Sequence, residues 1–292
     1  MTDYKIINID DKIYPPKLRE ISNPPKKIYA IGNLNLLKED MIAVVGSRKI
    51  NEYGRKYAKY FSKEIALRNI PIVSGMAVGT DTEAHRTALE FGSPTIAVLG
   101  VGLDNIYPKD NLGLYNEILA SKGLVITEEE PNVKYDPKIV INRNRIVSGL
   151  ADCVVVIEAG YRSGTSITVE YAKEQNKEVF VIPGRLDDKK CISSNLFIKN
   201  GAKILTNIED ILVCYPQFMN KKRKSDTEKI VKSEYQEIYN VLKDKTCNIE
   251  EIYRKVENKS VTEITNLLTM MELEDIVVKD FGNGYKLKED YA

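Results

Sequence analysis

The sequence predicts an α/β protein: a doubly wound, mostly parallel sheet followed by a small unit of helices that ends in a strand pair. Three observations predict it. Short apolar runs recur from Met41 onward at intervals that leave room for a helix. The runs are continuous rather than alternating, which marks strands covered on both faces. After a charged stretch around residue 220 the pattern changes to short helical periods and one hairpin.

Taken in order, residues 1–40 form a lead-in. Its proline pairs, in YPPKL and NPPKK, break helix and strand alike, so an irregular segment with one helical turn is expected. Residues 41–215 hold the sheet, with strands at MIAVV (41–45), IPIVS (70–74), TIAVL (95–99), LVIT (124–127), CVVVIE (153–158), VFVIP (179–183) and KILT (203–206). Segments between them have helical period: in YGRKYAKYFSKEIALRN, Tyr57, Tyr60, Phe61, Ile65 and Leu67 fall near one face. The economical architecture is an open sheet of about six or seven strands with helices on both sides. Residues 216–232, including NKKRKSDTEKIVK, read as a charged linker. In 233–290, EYQEIYNVLKD, NIEEIYRKVE and VTEITNLLTMMELEDI precede the strand pair IVVKDFGNGYKLK, whose turn carries Gly282, Asn283 and Gly284. Three short helices and a hairpin is winged-helix order.

Composition narrows the functions. The 292 residues are 43% hydrophobic and 29% charged, enough for a buried core. The N-terminus lacks a basic head with an apolar run, and no window reaches about 18 uninterrupted apolar residues, so a cytoplasmic protein with no membrane contact is expected. The four cysteines lie 38, 23 and 33 residues apart and there is one histidine, which argues against a zinc site and against disulfides. The net charge of +1 is uneven: 233–292 carries 8 Lys or Arg against 13 Asp or Glu, leaving 35 against 29 in residues 1–232. A polyanion would meet the first part of the chain.

Ligands of open parallel sheets bind at the carboxyl ends of the strands. Small, hydroxylated and basic residues gather there: Gly46, Ser47, Arg48 and Lys49; the turn from Ser74 and Gly75 to Asp81; Glu158 to Ser166, with Arg162, Ser163, Gly164 and Thr165; and Pro183, Gly184, Arg185, Lys189 and Lys190. The run Asn142, Arg143, Asn144, Arg145 precedes the fifth strand. Each turn alone reads more readily as helix capping; four on one edge, with the basic excess, read as a polyphosphate site. Neither GxGxxG nor GxxxxGK[ST] is present. No catalytic set stands out. His85 reads as a packing histidine, Ser163 lacks a histidine for a triad, and Glu158 and Glu170 read as partners for loop amides. Tyr53, Tyr107 and Tyr161 follow strands, where they are placed to stack on bases. The third helix of the C-terminal unit, Val261 to Leu273, has no Lys or Arg and ends at Glu272, Glu274 and Asp275. That favours protein contact or self-association over groove reading.

With these residues assembled, the chain resembles the DNA-processing protein A (DprA, or Smf) family from Tyr14 to about Leu212. The resemblance rests on AVVGSR, IVSGMAVGTDTEAH, TIAVLGVGLDNIYP, NRNRIVSGLAD, VVVIEAGYRSGTSIT and VFVIPG, in order and at family spacing. It implies an extended Rossmann-like domain and a homodimer without enzymatic activity or cofactor. It further implies that the protein binds and protects single-stranded DNA and loads the RecA recombinase on it in natural transformation. It puts Gly46, Ser47, Arg48, Ser74, Gly75, Arg143, Asn144, Arg145, Ser163, Gly164 and Thr165 at the DNA-contacting pocket, with Arg162 beside them. Three departures are visible: Val140 and Ile141 stand for the family's Phe-Pro, Ser193, Ser194 and Asn195 for Gly-x-Asn, and Gly79, Thr80 and Asp81 for Gly-Ile-Asp. A nucleotide sensor, or a nucleoside monophosphate hydrolase of a related Rossmann-like family using EAGYRSGTSITVE and Glu170, is the alternative.

Overall fold

Six of the seven apolar runs from residue 41 onward become strands whose alternate side chains enter different cores, and the seventh forms a short exposed edge strand. The structure is a computed structural model describing residues 4–161, 163–219, 221, 234–243, 245–256, 259–274, 276–280 and 284–288. It divides into two compact units, Met1–Arg223 and Lys224–Ala292.

The strands of the first unit are β1 (Lys5–Asn8), β2 (Lys27–Gly32), β3 (Ile42–Val45), β4 (Ile72–Ser74), β5 (Thr95–Val98), β6 (Leu124–Thr127), β7 (Cys153–Val156), β8 (Glu178–Val181) and β9 (Lys203–Ile204). The helices are α1 (Pro16–Arg19), α2 (Glu52–Leu67), α3 (Thr80–Glu90), α4 (Leu112–Ala120), α5 (Pro137–Leu150), α6 (Gly164–Glu174), α7 (Ile192–Lys199), α8 (Glu209–Leu212) and α9 (Pro216–Met219). They form one nine-stranded sheet in the order β1-β2-β6-β5-β4-β3-β7-β8-β9. Every pairing from β6 to β9 is parallel. In β3, Ala43 and Val45 enter one apolar cluster with α5 and α6, while Ile42 and Val44 enter the other with α2 and α3. The period of two thus feeds two cores, and the sheet is covered on both faces.

The chain winds outward from β3 through β4 and β5 to β6, then returns by α5 to place β7 against the other side of β3. The direction of winding reverses between β3 and β7. Such a reversal opens a crevice at the carboxyl ends of the two strands.

Two sequence expectations need correction. The lead-in is more than an irregular segment with one helical turn. That turn is α1, but KIIN and KIYAIG form β1 and β2, an antiparallel pair that extends the sheet antiparallel to β6. The proline pairs fall outside both strands, at the start of α1 and just before β2. The linker does not begin at 216 either: α9 belongs to the first unit, with Phe218 fully buried against Tyr215 and its cluster. The remainder of 216–232, apart from Lys221, lies outside the described residues.

The second unit holds α10 (Gln236–Leu242), α11 (Ile249–Tyr253), α12 (Val261–Leu273), β10 (Val277–Lys279) and β11 (Tyr285–Leu287) around a core of its own. Asn248 with Glu251 and Ser260 with Glu263 form capping boxes that start α11 and α12. The strands pair antiparallel; Gly282 and Asn283 of the intervening turn lie outside the described residues.

Candidate nucleic-acid interface

An open cavity of about 610 Å³ sits at the reversal point. Its walls come from the loop after β3, the turn after β4, the exposed side of α5 and the loop after β7 with the start of α6. A recess of about 60 Å³ adjoins it, sharing Arg48, Gly75, Ala77, Val140 and Arg143.

The β3 loop is shaped by its contact with α3. Thr80 donates its backbone N–H (3.1 Å) and its hydroxyl (3.2 Å) to the Ser47 carbonyl. A Cβ on Gly46 would stand 2.5 Å from Thr80 Oγ1, and one on Gly79 2.4 Å from the Ser47 oxygen; Gly79 also has φ +86°. These glycines serve the packing of two loops. The packing presents Arg48, whose side chain is exposed and has no hydrogen bond or ion pair among the described residues.

Arg143 lies beneath. It is 3% exposed, and its Nη1 donates to the Gly75 carbonyl (2.6 Å) and to the Val98 carbonyl. Burial pushes its pKa down to about 10, opposed by Asp81, so it remains charged at neutral pH. It acts as a fixed positive charge under the cavity floor, with only Nη2 left for a ligand. The Asn144 amide oxygen, also at the cavity, accepts from Arg143 Nε at 3.4 Å. Opposite, Ser163 caps α6 by accepting from the Thr165 N–H (3.2 Å), and a Cβ on Gly164 would meet nothing within 4 Å. The N-terminus of an eleven-residue helix, with Ser163, Gly164 and Thr165, therefore faces the same space.

Nine of the sequence-predicted residues line this cavity: Gly46, Ser47, Arg48, Gly75, Arg143, Asn144, Ser163, Gly164 and Thr165. Two do not. Ser74 is fully buried and spends its hydroxyl on the Val44 carbonyl at 2.6 Å. Arg145 makes a bidentate pair with Glu128 at 2.6 Å for both contacts and donates Nε to the Asn23 carbonyl at 2.8 Å, so it ties α5 to the sheet and the lead-in. Arg162 lies outside the described residues. The turn after β4 is not an anion cradle, because Asp81 already accepts the Gly75 and Ala77 N–H groups at 3.1 and 3.2 Å.

The sequence pattern of the family described as DNA recombination-mediator protein A matches residues 5–216. This chain belongs to that family. Among the relatives of this chain, the DNA processing protein DprA of Streptococcus pneumoniae is 40% identical over 205 residues, 70% of this chain and 72% of its own. Protein Smf of Escherichia coli is 37% identical over 213 residues, 72% of this chain and 56% of its own. The chain thus spans little more than half of the E. coli relative. The X-ray structure of S. pneumoniae DprA superposes with a TM-score of 0.69 at 40% identity, covering 73% of this chain and 74% of that one. DNA processing protein A of Helicobacter pylori, described by its single-stranded DNA binding mode, superposes at 0.66 with 29% identity, covering 74% and 96%.

In this family member the cavity also has an aromatic rim, of which the sequence motifs show only part. Tyr107 and Tyr135 stack with ring centroids 3.9 Å apart and planes at 30°, both partly exposed, one at the recess and one at the main cavity. Tyr107 was visible as a residue after a strand. Tyr135 was not; its signal is the Asp136 cap and Pro137 at the first turn of α5, which bring the preceding residue to the helix start. Of the carboxylates, Asp81 lines the cavity but is held by backbone N–H groups, and Glu158 and Glu170 stand back. Glu158 is buried, with Oε2 accepting from the Asn51 N–H at 3.4 Å and Oε1 unpartnered; burial raises its pKa. Glu170 is exposed on α6 and does not line the cavity. His85 is buried, and its Nδ1 meets the Thr95 hydroxyl at 2.7 Å. Burial, reinforced by Arg143, lowers its pKa to about 3, so it stays neutral. Among the described residues no helix is long and apolar enough to cross a membrane.

Proposed function

We propose that the chain binds single-stranded DNA in the cavity between β3 and β7, protects it, and presents it to a RecA-type recombinase, as in natural transformation. The observation that carries this reading is Arg48: an exposed guanidinium with no ion pair among the described residues, above a second, buried guanidinium and facing the start of α6. Phosphates fit both charges and the helix terminus. The tyrosine pair at the rim offers ring faces to bases, which suits strands whose bases are free. Membership of a recombination-mediator family supports the recombinase role, and the homodimer is carried over with the resemblance; the carboxylate of the cavity lining, Asp81, is spent on the Gly75 and Ala77 N–H groups, which suits a role without catalysis.

The second unit is read as a winged helix that contacts protein. Its α12 exposes Met270 and Leu273 beside acidic residues, a surface that suits a protein partner better than phosphates.

Titration of labelled oligo(dT) against a mononucleotide tests the reading. The oligomer is expected to bind more tightly, with affinity falling as salt rises. Arg48→Ala should weaken oligomer binding roughly tenfold or more and flatten the log K against log[salt] slope by about 0.7, the contribution of one phosphate contact. An unchanged Arg48→Ala variant, or tighter binding of the mononucleotide, overturns it.

A further inference from the structure

The turn after β8 carries Lys189 and Lys190 and lines neither the cavity nor its recess. Two hydrogen bonds nevertheless fix it to one flank of the cavity, and it passes close to the other. Asn51 Nδ2 donates to Asp188 Oδ2 at 2.9 Å, and the Tyr53 hydroxyl donates to the Pro183 carbonyl at 2.8 Å. On the other flank, a Cβ on Gly160 would stand 3.5 Å from the Lys189 carbonyl. Lys49, which lines the cavity, is two residues before Asn51, and Gly160 lines it too.

The charge of this surface is unspent. Lys49, Lys189 and Lys190 are exposed, and none of the three ammonium groups has a hydrogen bond or ion pair among the described residues. The neighbouring carboxylates are occupied: Asp187 pairs with Arg185 at 2.8 Å, and Asp188 accepts from Asn51 and from the Lys190 N–H. Glu158 is buried. Elsewhere in the unit, cations such as Lys17, Arg55, Arg68 and Arg145 are paired with carboxylates. Beside the lysines, Tyr53 is partly exposed and packs on Tyr57 with centroids 4.6 Å apart, so an aromatic face borders the basic one.

We propose that a single strand leaving the cavity continues across this turn, with Lys49, Lys189 and Lys190 on successive phosphates and Tyr53 beneath a base. The track rests on the reading of the cavity as a single-strand site. Phosphates and ring faces carry no base code, so it adds length-dependent affinity without sequence preference.

The test compares the full chain with its Lys189→Gln/Lys190→Gln variant on oligo(dT) of about 6 and about 20 nucleotides, lengths that bracket common single-strand site sizes. The short oligomer should bind both proteins alike. The long one should bind the variant roughly tenfold or more weakly at about 0.1 M salt, with a slope shallower by about 1.4, two phosphates at ~0.7 each. Lys189→Arg/Lys190→Arg should restore it. Equal long-oligomer affinity and slope in wild type and variant overturns the track while leaving the cavity reading intact, and so does an equal loss on both lengths. If the wild type binds neither oligomer, the cavity reading falls and the track with it.

Discussion

Two residues along an α-helix turn the side chain by about 200°, and Arg143 and Arg145 accordingly point to opposite sides of α5. One charge lies under the cavity; the other is fully engaged by Glu128 and a carbonyl of the lead-in. Arg145→Ala leaves a largely buried carboxylate without its partner and should cost about 3–5 kcal/mol of stability. Arg48→Ala removes an exposed side chain with no hydrogen bond or ion pair among the described residues and should stay within about 0.5 kcal/mol of wild type. Urea denaturation of the two variants measures the difference, and similar losses in both would remove the division between a structural and a ligand-facing arginine.

Between elements, the β3 loop and the start of α3 hold each other in place. Gly46→Ala should destabilise the protein by about 1–3 kcal/mol and weaken oligomer binding, because the new methyl meets Thr80. Thr80→Ala in the same chain should recover most of both losses. Gly79→Ala should find no such rescue, since its φ is +86° and the obstruction is the Ser47 backbone oxygen. Denaturation midpoints and oligo(dT) affinities of the four proteins check this; a Gly79→Ala protein as stable as wild type would contradict it. At this scale the sequence was readable wherever the signal was local. Seven strands were legible because each is a continuous apolar run, and the glycine turns because they end such runs. β1 and β2 were not, since their pairing depends on β6, far along the chain, and their prolines lie just outside them. In sequence the run NRNR reads only as a segment before a strand. Placing it on a helix, which Asp136 and Pro137 announce, would have separated its two arginines. Nothing local tells that Asp81 consumes the N–H groups of the turn after β4.

Across the whole molecule, the candidate DNA-binding side chains belong to the first unit, and the second has its own core. A chain ending at Met219 should therefore keep its oligo(dT) affinity within about twofold at fixed salt, the second unit being net acidic. Fluorescence anisotropy compares the two; a loss beyond tenfold would assign the second unit a direct part in binding. The antiparallel pair at the sheet's edge has a consequence of another kind. β2 is synthesised about 90 residues before β6, the strand it pairs with. At a ribosomal pace of about 5–20 residues per second, that is on the order of 5–20 s during which the N–H and C=O groups of β2 that face β6 have no partner strand. Lys5, Lys26 and Lys27, exposed on this ribbon, repel neighbouring nascent chains during that wait and keep the edge free for its own partner.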